Sequence, residues 1–157
     1  MKDIQKFLIC VMGCELTGII ATPFTISAIP AWYAHLHKPF FSPPNWIFGP
    51  VWTLLYFFMG IAVFIIWQKG AKNKKVKKAL AYFFIQLFLN FLWSIFFFGL
   101  RNPLLGFIDI LFLLISIAIT LFTFYKLSKT AGCLLIPYLL WVSFATILNF
   151  SLLLLNP

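Results

Sequence analysis

Of the 157 residues, 63% are hydrophobic, 20% aromatic and only 10% charged, where a soluble domain carries about a quarter of its residues charged. So few charges cannot clothe a body this small in water, which excludes a soluble fold and makes the bilayer the solvent. Twelve Lys and Arg stand against Asp3, Glu15 and Asp109 for a net charge of +9; the basic residues crowd short connections between apolar stretches, as cytoplasmic loops do, so nucleic acid is not the expected partner.

The first apolar stretch, 7–29, has the length of a membrane-spanning helix. Lys2 and Lys6 before it, and Val11-Met12-Gly13-Cys14 within it, resemble a lipoprotein signal. Glu15 and the very short apolar core ahead of Cys14 favour a retained helix instead. Inside a span, the Glu15 carboxylate is costly unless it is paired, protonated or set in a cavity. Cys10, Cys14 and Cys133 are odd in number and lie in or beside apolar segments, which favours packing residues over a disulfide framework.

The connection 30–45 holds Trp32, Tyr33, Phe40, Phe41 and four prolines, Pro30, Pro39, Pro43 and Pro44. Restricted backbone and large rings make it either a cover folded over the mouth of a bundle or an aromatic belt at the interface. His35 and His37 lie in it, but zinc needs at least one further ligand, so no metal is assigned.

The second stretch, 47–67, places Trp52 and Tyr56 four apart on one face. Lys69, Lys72, Lys74, Lys75, Lys77 and Lys78 follow. The third, 79–100, carries Gln86, Asn90 and Trp93, and small residues Ala79 and Gly99 at which a second copy is expected to pack closely in a dimer. Arg101 and Asn102 alone separate it from the fourth, 103–125, whose opening Pro103 suits a helix start and gives a tight hairpin. Asp109 lies within that fourth stretch, two turns from Arg101. The fifth, 131–155, places Tyr138, Trp141, Ala145 and Asn149 along one face.

Five long continuous runs exclude a β-barrel, whose strands are short and alternating. The expected architecture is all-α: one transmembrane domain, 1–157, in a single bundle of five helices. Lys2, Lys6, the six-lysine run, Lys126 and Lys129 lie on one side, against Lys38 and Arg101 on the other. That asymmetry predicts a cytoplasmic amino terminus and an outside carboxyl terminus. Amides and indoles in hydrocarbon must find partners, so the polar-aromatic stripes should face inward, as glue between helices or as the wall of a ligand cavity. No nucleophile-base-acid set supports a hydrolase.

Trp32-Tyr33-Ala34, Lys38-Pro39, Pro43-Pro44, Gly49-Pro50-Val51-Trp52, Leu55-Tyr56 and Met59-Gly60 resemble the TspO/MBR translocator protein family, also called peripheral benzodiazepine receptors. Gln86-Leu87, Leu89-Asn90, Trp93, Phe97-Phe98-Gly99, Arg101, Asp109, Pro137-Tyr138-Leu139, Trp141, Phe144-Ala145 and Leu148-Asn149 continue the resemblance in order. It implies a five-helix membrane receptor, sensor or transporter, commonly a homodimer. Its ligands would be tetrapyrroles such as protoporphyrin IX and haem, and other flat lipophilic molecules such as isoquinoline carboxamides. It needs no cofactor. The implied ligand-binding residues are Tyr33, Pro43, Phe48, Gly49, Val51, Trp52, Gln86, Asn90, Trp93, Phe112, Trp141, Ala145 and Leu148. A rival reading is light-dependent degradation of bound porphyrin, with Trp52 and Trp141 as the reacting residues; a third is a structural partner of other membrane proteins. Animal members carry a Tyr followed by an Arg near the carboxyl end, whereas Phe150 here lacks the hydroxyl and no cation follows it in the stretch to Leu155. This departure favours a bacterial-type tetrapyrrole role in a bacterial cell membrane over tight cholesterol binding.

Overall fold

The computed structural model describes residues 2–157, and five helical spans within them are long and apolar enough to cross a membrane. The protein is a multi-pass integral membrane protein. The helices are α1 (Asp3–Ala31), α2 (Phe48–Gln68), α3 (Lys74–Ser94), α4 (Pro103–Leu127), α5 (Lys129–Leu134) and α6 (Ile136–Leu155), the last two forming one span. They close a ring: α1 packs between α2 and α3, α3 against α4, α4 against α5 and α6, and α5 against α2.

Three boundaries differ from the sequence reading, each for a physical reason. The first helix runs on through Pro23 and Pro30 to Ala31; each proline removes one intrahelical N–H, a loss that a membrane helix packed against its neighbours tolerates. The third helix starts at Lys74 rather than 79, since the Asn73 side chain accepts from the Lys75 N–H at 2.9 Å and lysine is a good helix former whose head can stay in water. The fifth span breaks at Leu135, two residues before Pro137, which has no N–H for the preceding turn.

Between α3 and α4 the chain widens into one π turn, Ile95–Gly99. Arg101 then adopts φ 52 in the left-handed region, and the Asn102 side chain accepts from the N–H groups of Leu104 and Leu105 at 3.1 and 3.0 Å. Those caps make the expected tight hairpin.

The core is filled by Met59, Ile66, Phe83, Ile117, Phe124 and Tyr138; the Phe83 and Phe124 rings stack at 5.7 Å. Along the α1–α2 seam the backbones nearly touch, since a Cβ on Gly60 would stand 2.6 Å from Val11 Cα. Ala79 is wholly buried inside the same chain, so it is not available to a second copy as the sequence reading expected. Gly99 differs: it is exposed, although a Cβ there would stand 3.1 Å from the Phe24 ring.

The first connection folds over the end of the bundle opposite the lysines. Tyr33 is buried against Phe48, Phe97 and Phe98, and Phe41 packs on Phe144 of α6. Asn156, just past α6, clasps it: its Oδ1 accepts from the His37 N–H at 2.9 Å and its Nδ2 donates to the His37 carbonyl at 3.0 Å. Phe40 and Trp46 remain outside, 100% and 73% exposed, so the same segment is both a cover and, at those two rings, an interfacial belt.

Candidate ligand cavity

A cavity of about 290 Å³ lies among α1, α2 and α3, towards the end covered by the first connection. From α2 it takes Phe48, Gly49, Trp52, Thr53 and Tyr56, and from α3 Asn90, Trp93, Ser94 and, in the π turn, Phe98. The remaining wall is α1, where Glu15, Gly18, Thr22, Thr25 and Ile29 follow one another at steps of three and four residues. Such steps put all five side chains on one face. Asn45 sits at the covered end. Ile19 and Ile26 also line the cavity yet are 60% and 64% exposed on the outer surface of α1, so the opening faces sideways at hydrocarbon depth.

The π turn and the close contacts of α1 set this geometry. Gly18 leaves room for Tyr56, whose Cε2 would be 2.5 Å from an added Cβ. The Trp52 ring lies tilted on Tyr56 at 5.7 Å and edge-on to Tyr138 at 6.3 Å. Trp93 stacks on Phe97 at 5.1 Å and donates its indole N–H to Asn149 Oδ1 at 3.2 Å.

Beneath the cavity a buried chain of hydrogen bonds ties three helices together. Tyr56 donates its hydroxyl to Asn90 Oδ1, Asn90 Nδ2 donates to the Tyr138 hydroxyl at 3.0 Å, and that hydroxyl donates to Gln86 Oε1 at 2.8 Å. Asn149 Nδ2 reaches the Pro103 carbonyl at 2.9 Å. Gln86, Asn90 and Asn149 therefore glue α2, α3, α4 and α6, and Asn90 alone of the three also touches the cavity.

Of the residues implied by resemblance, Phe48, Gly49, Trp52, Asn90 and Trp93 meet around this space. The others stand elsewhere. Trp141 is covered by Phe48 at 6.0 Å and by Phe144 at 5.5 Å, and its buried indole N–H has no partner. Ala145 and Leu148 are buried on α6 behind that cluster, and Tyr33 is roofed by the first connection, its buried hydroxyl also without a partner. Pro43 and Val51 are half-buried outside the wall. Gln86 is shut in the core, and Phe112 points away from the bundle, 62% exposed; a side chain on that outer face of α4 cannot reach the cavity. Asp109 is buried in α4, one of its carboxylate oxygens lacks a partner among the described residues, and no ion pair there joins it to Arg101. The α1 wall was missed in sequence, although the spacing of Glu15, Gly18, Thr22 and Thr25 carries its signal.

The TspO/MBR family profile matches residues 9–155. A "Tryptophan-rich protein TspO" of Archaeoglobus fulgidus is 49% identical over 98% of this chain and 99% of its own length. A "Tryptophan-rich sensory protein" of Cereibacter sphaeroides is 35% identical over 98% of this chain and 93% of its own. The human "Translocator protein" is 39% identical over 76% of this chain and 71% of its own.

Proposed function

This chain belongs to the TspO/MBR family, and we propose that it is a membrane receptor or sensor for flat lipophilic ligands, tetrapyrroles such as protoporphyrin IX and haem among them. The observation that carries this reading is the cavity itself. It is walled by Trp52, Trp93, Tyr56, Phe48 and Phe98, holds a few convergent polar groups, and opens within the membrane. Aromatic walls with sparse polar groups suit a large planar ligand. The relative named as a sensory protein matches nearly the full chain.

A tetrapyrrole macrocycle is broader than a cavity of about 290 Å³. Phe48, which lines the cavity and lies edge-on to Trp141 at 6.0 Å, is the ring such a ligand would have to displace on the side towards α6. Homodimer formation, an amino terminus in the cytoplasm and a carboxyl terminus outside belong to the same proposal, the orientation resting on the basic asymmetry.

The test is titration of protoporphyrin IX into purified protein, followed by absorption in darkness and in light. Saturable binding, stable under both conditions, is the expected result; no saturable binding refutes the reading. Conversion of the porphyrin in light alone supports the enzyme instead, with Trp52, the tryptophan between cavity and core, as the first residue to replace.

A further inference from the structure

The cavity wall includes one carboxylate, Glu15 of α1. It stands one turn before Gly18, at the end of the cavity farthest from Asn45, where the Tyr56 ring closes against α1. The hydrogen bonds that tie the helices together beneath it run through Tyr56, Asn90 and Tyr138 and leave Glu15 out. The one ion pair among the described residues, Lys6 with Asp3 at 3.9 Å, does not involve it. Glu15 is therefore neither helix glue nor a member of a structural ion pair.

An ionisable group within a membrane span is expensive and marks a ligand or ion path when it faces a cavity. Two aromatic surfaces, Trp52 and Tyr56, tilted together at 5.7 Å, line the same space. A carboxylate beside electron-rich ring faces is the chemistry that recognises an organic cation: the rings attract the charge and the carboxylate accepts a charge-assisted hydrogen bond.

We propose that Glu15 makes the deep end of the cavity a subsite for a protonated amine, so that the cavity prefers flat aromatic amines over neutral molecules of the same shape. The same charge repels carboxylates, so a tetrapyrrole would sit with its acidic side chains turned towards Asn45. This rests on the reading of the cavity as a ligand site.

The experiment compares naphthylmethylamine, a cation near neutral pH, with naphthylmethanol by equilibrium dialysis against the protein in nanodiscs of zwitterionic lipid, corrected with empty nanodiscs. The parent should favour the amine by about tenfold or more, the range of one charge-assisted hydrogen bond. Glu15→Gln should collapse that preference, and Glu15→Asp, which keeps the charge, should retain part of it. Equal binding of the two probes by the parent, or full preference surviving in Glu15→Gln, overturns the subsite while leaving the cavity reading in place. A parent that takes up neither probe nor protoporphyrin IX overturns both.

Discussion

Replacing Tyr138 by Phe removes a single oxygen and strands two amides. The ring remains in its slot beside Trp52, so packing is kept, but Asn90 Nδ2 loses its acceptor at 3.0 Å and Gln86 Oε1 its donor at 2.8 Å. Both amides are almost fully buried, which leaves them no water to turn to. An orphaned buried polar group costs about 1–3 kcal/mol in soluble proteins, whereas polar contacts between membrane helices average about 0.6 kcal/mol because the unfolded chain in lipid also finds partners. Two orphans taken near the membrane figure give a loss of about 1–2 kcal/mol. For a chain of this size that is a fall of about 2–8 °C in the thermal midpoint, readable by thermal unfolding in mild detergent. The sharper measurement is a cycle with Gln86→Leu, which removes one of the stranded groups. The double variant should lose less than the sum of the singles by at least about 0.5 kcal/mol. Strict additivity would show that the Tyr138 hydroxyl is not coupled to Gln86.

Asn156→Ala should cut the clasp on His37 with little loss of stability, because the bond is exposed. Its readout is a cysteine placed at Ser42, whose hydroxyl is buried: thiol labelling there should speed up, and an unchanged rate would mean the cover is held by its rings alone. In a Cys133→Ser background, an impermeant thiol reagent applied to intact cells should reach a cysteine at Phe40, which is wholly exposed, and not one at Lys74; the reverse pattern would invert the membrane orientation. Gly60→Ala should destabilise the protein by about 1–3 kcal/mol, since the new methyl meets the Val11 backbone, which cannot rotate away. A thermal midpoint equal to the parent's would show that the α1–α2 seam is slack.

The spans were legible because lipid imposes one strong demand, that every backbone group be bonded within its own segment, and about twenty apolar residues in a row meet it in only one way. The hairpin at Arg101-Asn102-Pro103 was legible for a similarly local reason, as was the inward direction of Gln86, Asn90 and Asn149. Pro30 misled, because rules learned from water-exposed helices end a helix there. The cavity was half legible. Trp52, Asn90 and Trp93 stand out by residue type in an apolar chain, while Gly18, Thr22 and Thr25 look like ordinary small residues until the helix period groups them. That Trp141 is packed away behind Phe48 and Phe144 depends on ring orientations at a contact between distant segments, which no spacing encodes.

The sideways opening between Ile19 and Ile26 changes what an affinity for this protein means. A molecule that arrives through it has already left water, and lipid tails are as apolar as leucine. Transferring its greasy surface from one oil-like phase to another yields almost no driving force. Selectivity must then come from what hydrocarbon lacks: flat faces at fixed angles, hydrogen-bond acceptors and a fixed charge. A dissociation constant expressed per volume of buffer would drift as the lipid-to-protein ratio is varied, because the bilayer competes as a reservoir; one expressed as mole fraction in the membrane would hold steady.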